Sequence, residues 1–152
     1  MRNGLLVLAV LGLLVVLGAC RAAAPTPTPK PTTIVIEGAW ARPSPAMAGA
    51  GAAYMVIRNT GTAPDALIGA EAPETAGKVE LHETMMEGGI ARMHAAHRFE
   101  VPAGGTLELK PGGKHIMLLN LKKELKPGDQ FHLDLKFEKA GTLHVAVEVR
   151  AQ

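Results

Sequence analysis

Residues 130–150 read QFHLDLKFEKAGTLHVAVEVR, and this stretch decides the fold class. Phe131, Leu133, Leu135 and Phe137 alternate with His132, Asp134, Lys136 and Glu138. Leu143, Val145, Val147 and Val149 then alternate with His144, Ala146, Glu148 and Arg150. A period of two with one apolar face is the pattern of a half-buried strand, because successive side chains of a strand point to opposite faces. Lys139-Ala140-Gly141 supplies the turn between the two strands, so the stretch predicts a hairpin that forms a wall of the core. A charge placed at Leu133 or Val147 is expected to break that wall.

Working back from this hairpin, the chain shows further short apolar runs of β type over 32–37, 53–58, 66–70, 78–82, 106–110 and 115–121. They are separated by turn signals such as Asn59-Thr60-Gly61, and no helical period of ten or more residues interrupts them. Regularly spaced strands of this length predict an all-β antiparallel sandwich. Trp40, the single tryptophan, is expected to pack at the edge of the core.

The region before residue 34 has a different character. Met1-Arg2-Asn3 carries a positive charge, and residues 4–18 form an apolar run of signal-peptide length that ends at Leu17-Gly18-Ala19-Cys20. This ending resembles a bacterial lipobox. It predicts a signal peptide over 1–19, cleavage before Cys20 and a lipid on the Cys20 sulfur. The run is shorter than the ~20 apolar residues a membrane span needs. RAAAPTPTPKPTT over 21–33 is rich in proline, which favours extended polyproline II, so 20–33 reads as the lipidated cysteine and a spacer. The β domain then occupies 34–152. These features place the protein outside the cytoplasm, in a periplasmic or equivalent compartment, as a lipoprotein held to the membrane by its anchor.

Cys20 is the only cysteine. A lipidated Cys20 leaves the domain without a thiol, which excludes a disulfide framework, a CxxC redox site and a blue-copper centre built on a cysteine thiolate. The formal charge is only +2 and the Lys and Arg residues are scattered, so no nucleic-acid partner is expected. No nucleophile with a paired base, phosphate loop or carboxylate dyad stands out, so an enzyme is not expected.

What stands out is a series of soft donors, His82, Met93, His115 and Met117, spaced H-x10-M-x21-H-x-M. Thioether sulfur and neutral imidazole suit Cu(I), whereas hard ions want oxygen. Within 78–82, Glu80 and His82 share one face. Glu87-Gly88-Gly89 is a turn signal. If the loop is Gly88-Gly89, Met93 lies opposite Thr84 and on the face of His82, about 7–8 Å away between backbones. A three-residue loop would reverse this parity. His115 and Met117 project together from one face of their strand, close to the Pro111-Gly112-Gly113 turn. Taken singly, a methionine on a strand is core filler and a histidine is a surface residue. Met85, Met86, His94 and His97 have no assigned role beyond that, and His132 and His144 read as solvated residues near Glu148 and Lys136.

The stretches VELHETMMEGGIARMH (79–94) and LKPGGKHIMLLNLKKELKPGD (109–129) resemble the PCuAC, or DUF461, family of periplasmic copper chaperones. The likeness extends to GAWARPSP, to YMVIRNTG and to the closing hairpin, and so spans about residues 34 to 150. The resemblance implies a cupredoxin-like β-sandwich of Greek-key type that binds one Cu(I) through two His and two Met. Position by position, these fall on His82, Met93, His115 and Met117. It further implies delivery of copper toward the dinuclear copper centre of cytochrome c oxidase, with oxidase subunit II or a thiol-bearing Sco-type copper protein as acceptor. Protonation of imidazole competes with metal, so affinity is expected to fall below about pH 6. Two other readings of the chain are a periplasmic copper buffer serving resistance and a metal-free β-sandwich assembly or adhesion lipoprotein.

Overall fold

The structure is a computed structural model that describes residues 33–151. The expected signal peptide over 1–19, the lipidation site Cys20 and all but the last residue of the 20–33 spacer lie outside the described residues.

Ten strands follow one another: β1 (Ile34–Ala41), β2 (Ala50–Asn59), β3 (Asp65–Glu71), β4 (Ala76–Glu87), β5 (Ile90–Ala96), β6 (Phe99–Val101), β7 (Thr106–Leu109), β8 (Lys114–Leu121), β9 (Gln130–Phe137) and β10 (Gly141–Val149). A single 3-10 turn, Ala46–Ala48, stands between β1 and β2. The hydrogen-bonded order is β5-β4-β8-β2-β1-β10-β9-β3-β6, with β7 pairing the second half of β2. One buried cluster draws on both halves of this path. Leu81, Ile116, Ala53 and Ile57 come from one half, and Leu67, Leu133, Leu135 and Val147 from the other. The all-β architecture is consistent with the expected cupredoxin-like sandwich.

The expectation of a purely antiparallel sandwich needs correction. The path turns its corner at β1, where Gly38 (φ +60°) takes up one extra residue between the pairs Glu37–Val56 and Trp40–Tyr54. Such a bulge bends and twists a strand, and glycine meets its positive φ without strain. Beyond it Trp40 and Ala41 keep their places on β2 and also pair with Glu148 and Val149 of β10 in parallel. The sheet is therefore mixed. Alternation reports which face is buried and carries no information on the direction of a neighbour, so a sequence pattern does not reveal this pair.

The closing hairpin follows its sequence pattern. Phe131, Leu133, Leu135 and Phe137 are all buried, and β10 pairs with β9 from Gly141–Phe137 to Glu148–Gln130. The loop 138–140 closes on Gly141 (φ +78°). Buried Asp65 accepts hydrogen bonds from the backbone N–H groups of Lys139 and Ala140 at 2.9 Å each, tying this loop to the start of β3. Asn59 is likewise buried and fully engaged, donating to the carbonyls of Ala63 and Val101 and accepting from the Gly61 N–H. On the outer face of the hairpin, His144 lies opposite Asp134, with an Nδ1 to Oδ1 distance of 2.6 Å, and His132 lies opposite Ala146. Glu148 lies one diagonal step from His132 and Lys136 one from His144, the neighbourhood expected for these exposed histidines.

Candidate metal centre

The strand β4 runs well past the core, from Ala76 to Glu87, and returns as β5 through Gly88-Gly89. Both glycines have positive φ, +59° and +83°, the geometry of a two-residue I′ turn. Glu87 pairs with Ile90 and Thr84 pairs with Met93, so the parity is the one that puts Met93 on the His82 face. On the other side of β4, His82 lies directly opposite His115 of β8, and Glu80 lies opposite Met117. The four predicted donors therefore face the same side of three adjacent strands, away from the core that Leu81 and Ile116 fill. The imidazole rings of His82 and His115 are 5.8 Å apart between centroids.

The same face continues across β2 and β1. Ala52 pairs with Met117, Tyr54 is the next outward residue, and Trp40 pairs with Tyr54. Trp40 stacks on Tyr54 at 4.6 Å, and Tyr54 reaches the His115 ring at 6.4 Å. This corrects the placement of Trp40, which lies on the outer face behind the donors and is not part of the core cluster. Burial raises the Tyr54 phenol above its ordinary value, and the Arg42 charge partly offsets this. Together Arg42, Tyr54, Met93, His115 and Met117 border an open cavity of about 310 Å³.

Hydrogen bonds set the state of each imidazole. The Gly113 carbonyl can only accept, so Nδ1 of buried His115 donates to it at 2.9 Å and Nε2 keeps the free lone pair. Nε2 of His82 lies 2.9 Å from the Glu80 carboxylate, whose pKa is lowered by the Lys78 ammonium first and by His82 second. With its proton on Nε2, neutral His82 holds its lone pair on Nδ1. That atom is buried and has no partner among the described residues. A buried nitrogen lone pair is costly to leave unmet, so Nδ1 is the atom through which His82 could hold a ligand. Among the described residues no cluster of three or more His, Cys, Asp or Glu could hold a metal. A cation here would need the thioether sulfurs as well, and that donor set fits a soft ion.

The LpqE-like lipoprotein family matches residues 34–149. The chain belongs to the LpqE-like family. A relative from Leifsonia xyli subsp. xyli, Lxx21020, named a lipoprotein, is 40% identical over 103 residues, 67% of this chain and 61% of its own length. The chain spans about three fifths or less of the curated relatives it matches. The solution structure of Cu(I)-bound DR1885 from Deinococcus radiodurans is 35% identical, with a TM-score of 0.61, over 87% of this chain and 83% of that one. A copper-bound PCuAC domain from PmoF2 superposes with a TM-score of 0.66 at 26% identity, covering 78% of this chain and 93% of that domain. This member of the LpqE-like family therefore carries a domain of PCuAC type.

Other residues of the family member's hairpin divide by parity. Met86 shares the face of Met93, whereas Met85 and His94 point to the opposite side, where His94 meets Glu87 at 3.0 Å. Sequence reasoning did not single out Glu80 as the partner that sets the His82 tautomer. The signal was present, since two residues along a strand means one face. Tyr54 and Arg42 carried no such signal, because the pairing of β2 with β8, with Arg42 bonded to Ala52 of β2, is what brings them to the donors.

Proposed function

We propose that this protein is an extracytoplasmic Cu(I) carrier that holds one ion through His82, Met93, His115 and Met117 and hands it to an acceptor for assembly of the cytochrome c oxidase dinuclear copper centre. The observation that carries this reading is the convergence of two imidazoles and two thioethers on one outer face, with the Nδ1 of His82 buried and unpartnered. All four donors are neutral, so the site gathers soft ligands without the anionic charge that would favour harder cations. Three donors sit on β4 and β8, which pair from Ala76–Leu121 to Glu83–Lys114. Met93 sits on β5, half-exposed, where it can leave first when a competing ligand arrives. Copper-bound forms of DR1885 and of the PmoF2 domain support the choice of metal. The lipoprotein name of the Leifsonia relative supports a lipid anchor at Cys20 and a place at the membrane outside the cytoplasm. The acceptor on this reading is oxidase subunit II or a thiol-bearing Sco-type protein.

The test is an anaerobic Cu(I) titration against a competing chelator, with the native protein beside a Met93→Ala, His115→Ala double variant. Native protein takes one equivalent and the variant does not. Transfer from loaded protein to an apo-oxidase subunit II domain then separates a carrier from a copper buffer, which would hold its metal. Equal, weak binding by both proteins would contradict the reading.

A further inference from the structure

We propose that Met86 is the landing ligand for incoming Cu(I), a thioether the ion touches on its way to the four donors and does not stay on. This inference rests on the copper-carrier reading above and adds the route by which the ion arrives. The strand β4 outruns its inner neighbour. Its pairing with β8 ends at Glu83–Lys114, whereas its pairing with β5 continues to Glu87–Ile90, so residues 85–92 form a two-stranded ribbon beyond the site. The two faces of this ribbon differ. From Glu83 to His94 every ionisable side chain points to one side, where Glu87 pairs with Arg92 and His94, and Glu83 with Lys114. The other side continues the face of His82 and carries Met86, Ala91 and Met93, with no charge.

Met86 lies two residues beyond Thr84, the partner of Met93, so the two methionines are diagonal neighbours about 7–8 Å apart between backbones. Both side chains are long and flexible, and the direct partner of Met86 is Ala91, too small to stand between the two sulfurs. Core filling does not account for Met86, which is 70% exposed. One exposed apolar residue is ordinary. What sets this one apart is its place at the outer end of a neutral row that runs through Met93 to His82. Uptake along the row balances without redox change. Incoming Cu(I) bonds the Met86 sulfur as it drops a ligand of the small complex that carried it, and bonds Met93 next. It then reaches His82, His115 and Met117 while the bond to Met86 breaks and the lone pair returns to sulfur. A thioether carries no proton, so none moves at Met86, and copper stays Cu(I) throughout. The delivery step, in which an acceptor displaces Met93, is separate.

The experiment mixes the Cu(I)–acetonitrile complex with apo native protein, Met86→Leu and Met85→Leu in an anaerobic stopped flow. Uptake is read from Trp40, the single tryptophan, which stacks on Tyr54 beside His115. Leucine keeps the apolar bulk and removes the sulfur, and Met85 is the control because it points to the opposite face. Met86→Leu slows uptake about ten-fold, the lower end of what losing a residue of a metal site costs, and Met85→Leu takes up copper at the native rate. A contact made only along the way changes rates and leaves the end states alone, so chelator competition gives all three proteins affinities within about two-fold. A second measurement uses methionine methyl NMR on a His115→Ala, Met117→Ala variant, its fold checked by circular dichroism. Cu(I) shifts the Met86 and Met93 methyls together and leaves Met85 in place. Native uptake by Met86→Leu, equal slowing in Met85→Leu, an affinity loss of about ten-fold or more in Met86→Leu, or a shift at Met93 without Met86 would each overturn the proposal while the carrier reading stands. A native protein that takes up no Cu(I) would remove both.

Discussion

Exchanging two neighbours on β5, Arg92→Met with Met93→Arg, tests whether the face of the hairpin decides ligation. The composition of the chain does not change. Every residue of β5 except Ala96 is exposed, so the exchange buries and uncovers almost nothing, and stability should move by no more than about 0.5 kcal/mol. The position of the sulfur does change. Met93 faces the side of His82 through its pairing with Thr84, whereas residue 92 lies opposite Met85 on the other side. Successive side chains point to opposite faces, so the thioether moves by roughly twice its reach, about 8 Å, well beyond any metal–sulfur bond. Loss of one of four donors should weaken Cu(I) binding about 100-fold, the upper end of what disturbing even a supporting residue of a metal site costs. That is ~2.7 kcal/mol. Competition with a Cu(I) chelator measures the affinity and thermal unfolding checks the fold. Native affinity in an exchanged protein that melts normally would refute the facial argument.

Three further outcomes follow from the fold. Leu133→Asp puts a carboxylate at a position with no exposure in the core between the two halves, and should cost ~4 kcal/mol or more, so circular dichroism should show little folded protein. Asn59→Ala removes a buried side chain that satisfies two carbonyls and one N–H, and chemical denaturation should show a loss of about 2–3 kcal/mol with an unchanged m-value. Tyr54 is the only tyrosine, so phenolate absorbance follows it alone. Its midpoint should lie above that of free tyrosine, and higher again in Arg42→Ala, because burial raises it and Arg42 lowers it. The stability this contributes is present below the unfolded phenol's value and is lost as pH climbs through the folded one.

The local part of the site was legible in the sequence because strands have a fixed period. Glu87-Gly88-Gly89 signals a turn without fixing its length, and with the two-residue loop that the structure shows, the parity of Met93 relative to His82 follows. The step from His115 to Met117 is equally local. The meeting of the two pairs is not, since it depends on β8 lying against β4 with His115 opposite His82, a contact 33 residues apart that no alternation encodes. The same reason hid Tyr54 and Trp40. Trp40 reads as a residue at the edge of the core, and only the register across β1, β2 and β8 shows that it and Tyr54 lie on the outer face beside the donors. The hairpin of β9 and β10 was legible to its inward residues, whereas the parallel pairing of β1 with β10 was not. That pairing depends on the bulge at Gly38, and a lone glycine in a strand marks a bulge without naming the strand it turns toward.

The most direct test of the copper site is X-ray absorption at the copper edge on native protein loaded anaerobically with one equivalent of Cu(I), beside the His82→Ala and Met117→Ala variants. The native spectrum should fit two imidazole nitrogens and two thioether sulfurs, with one nitrogen lost in the first variant and one sulfur in the second. A native spectrum without sulfur scatterers, or one that neither substitution alters, would contradict the assignment of these residues as the ligands.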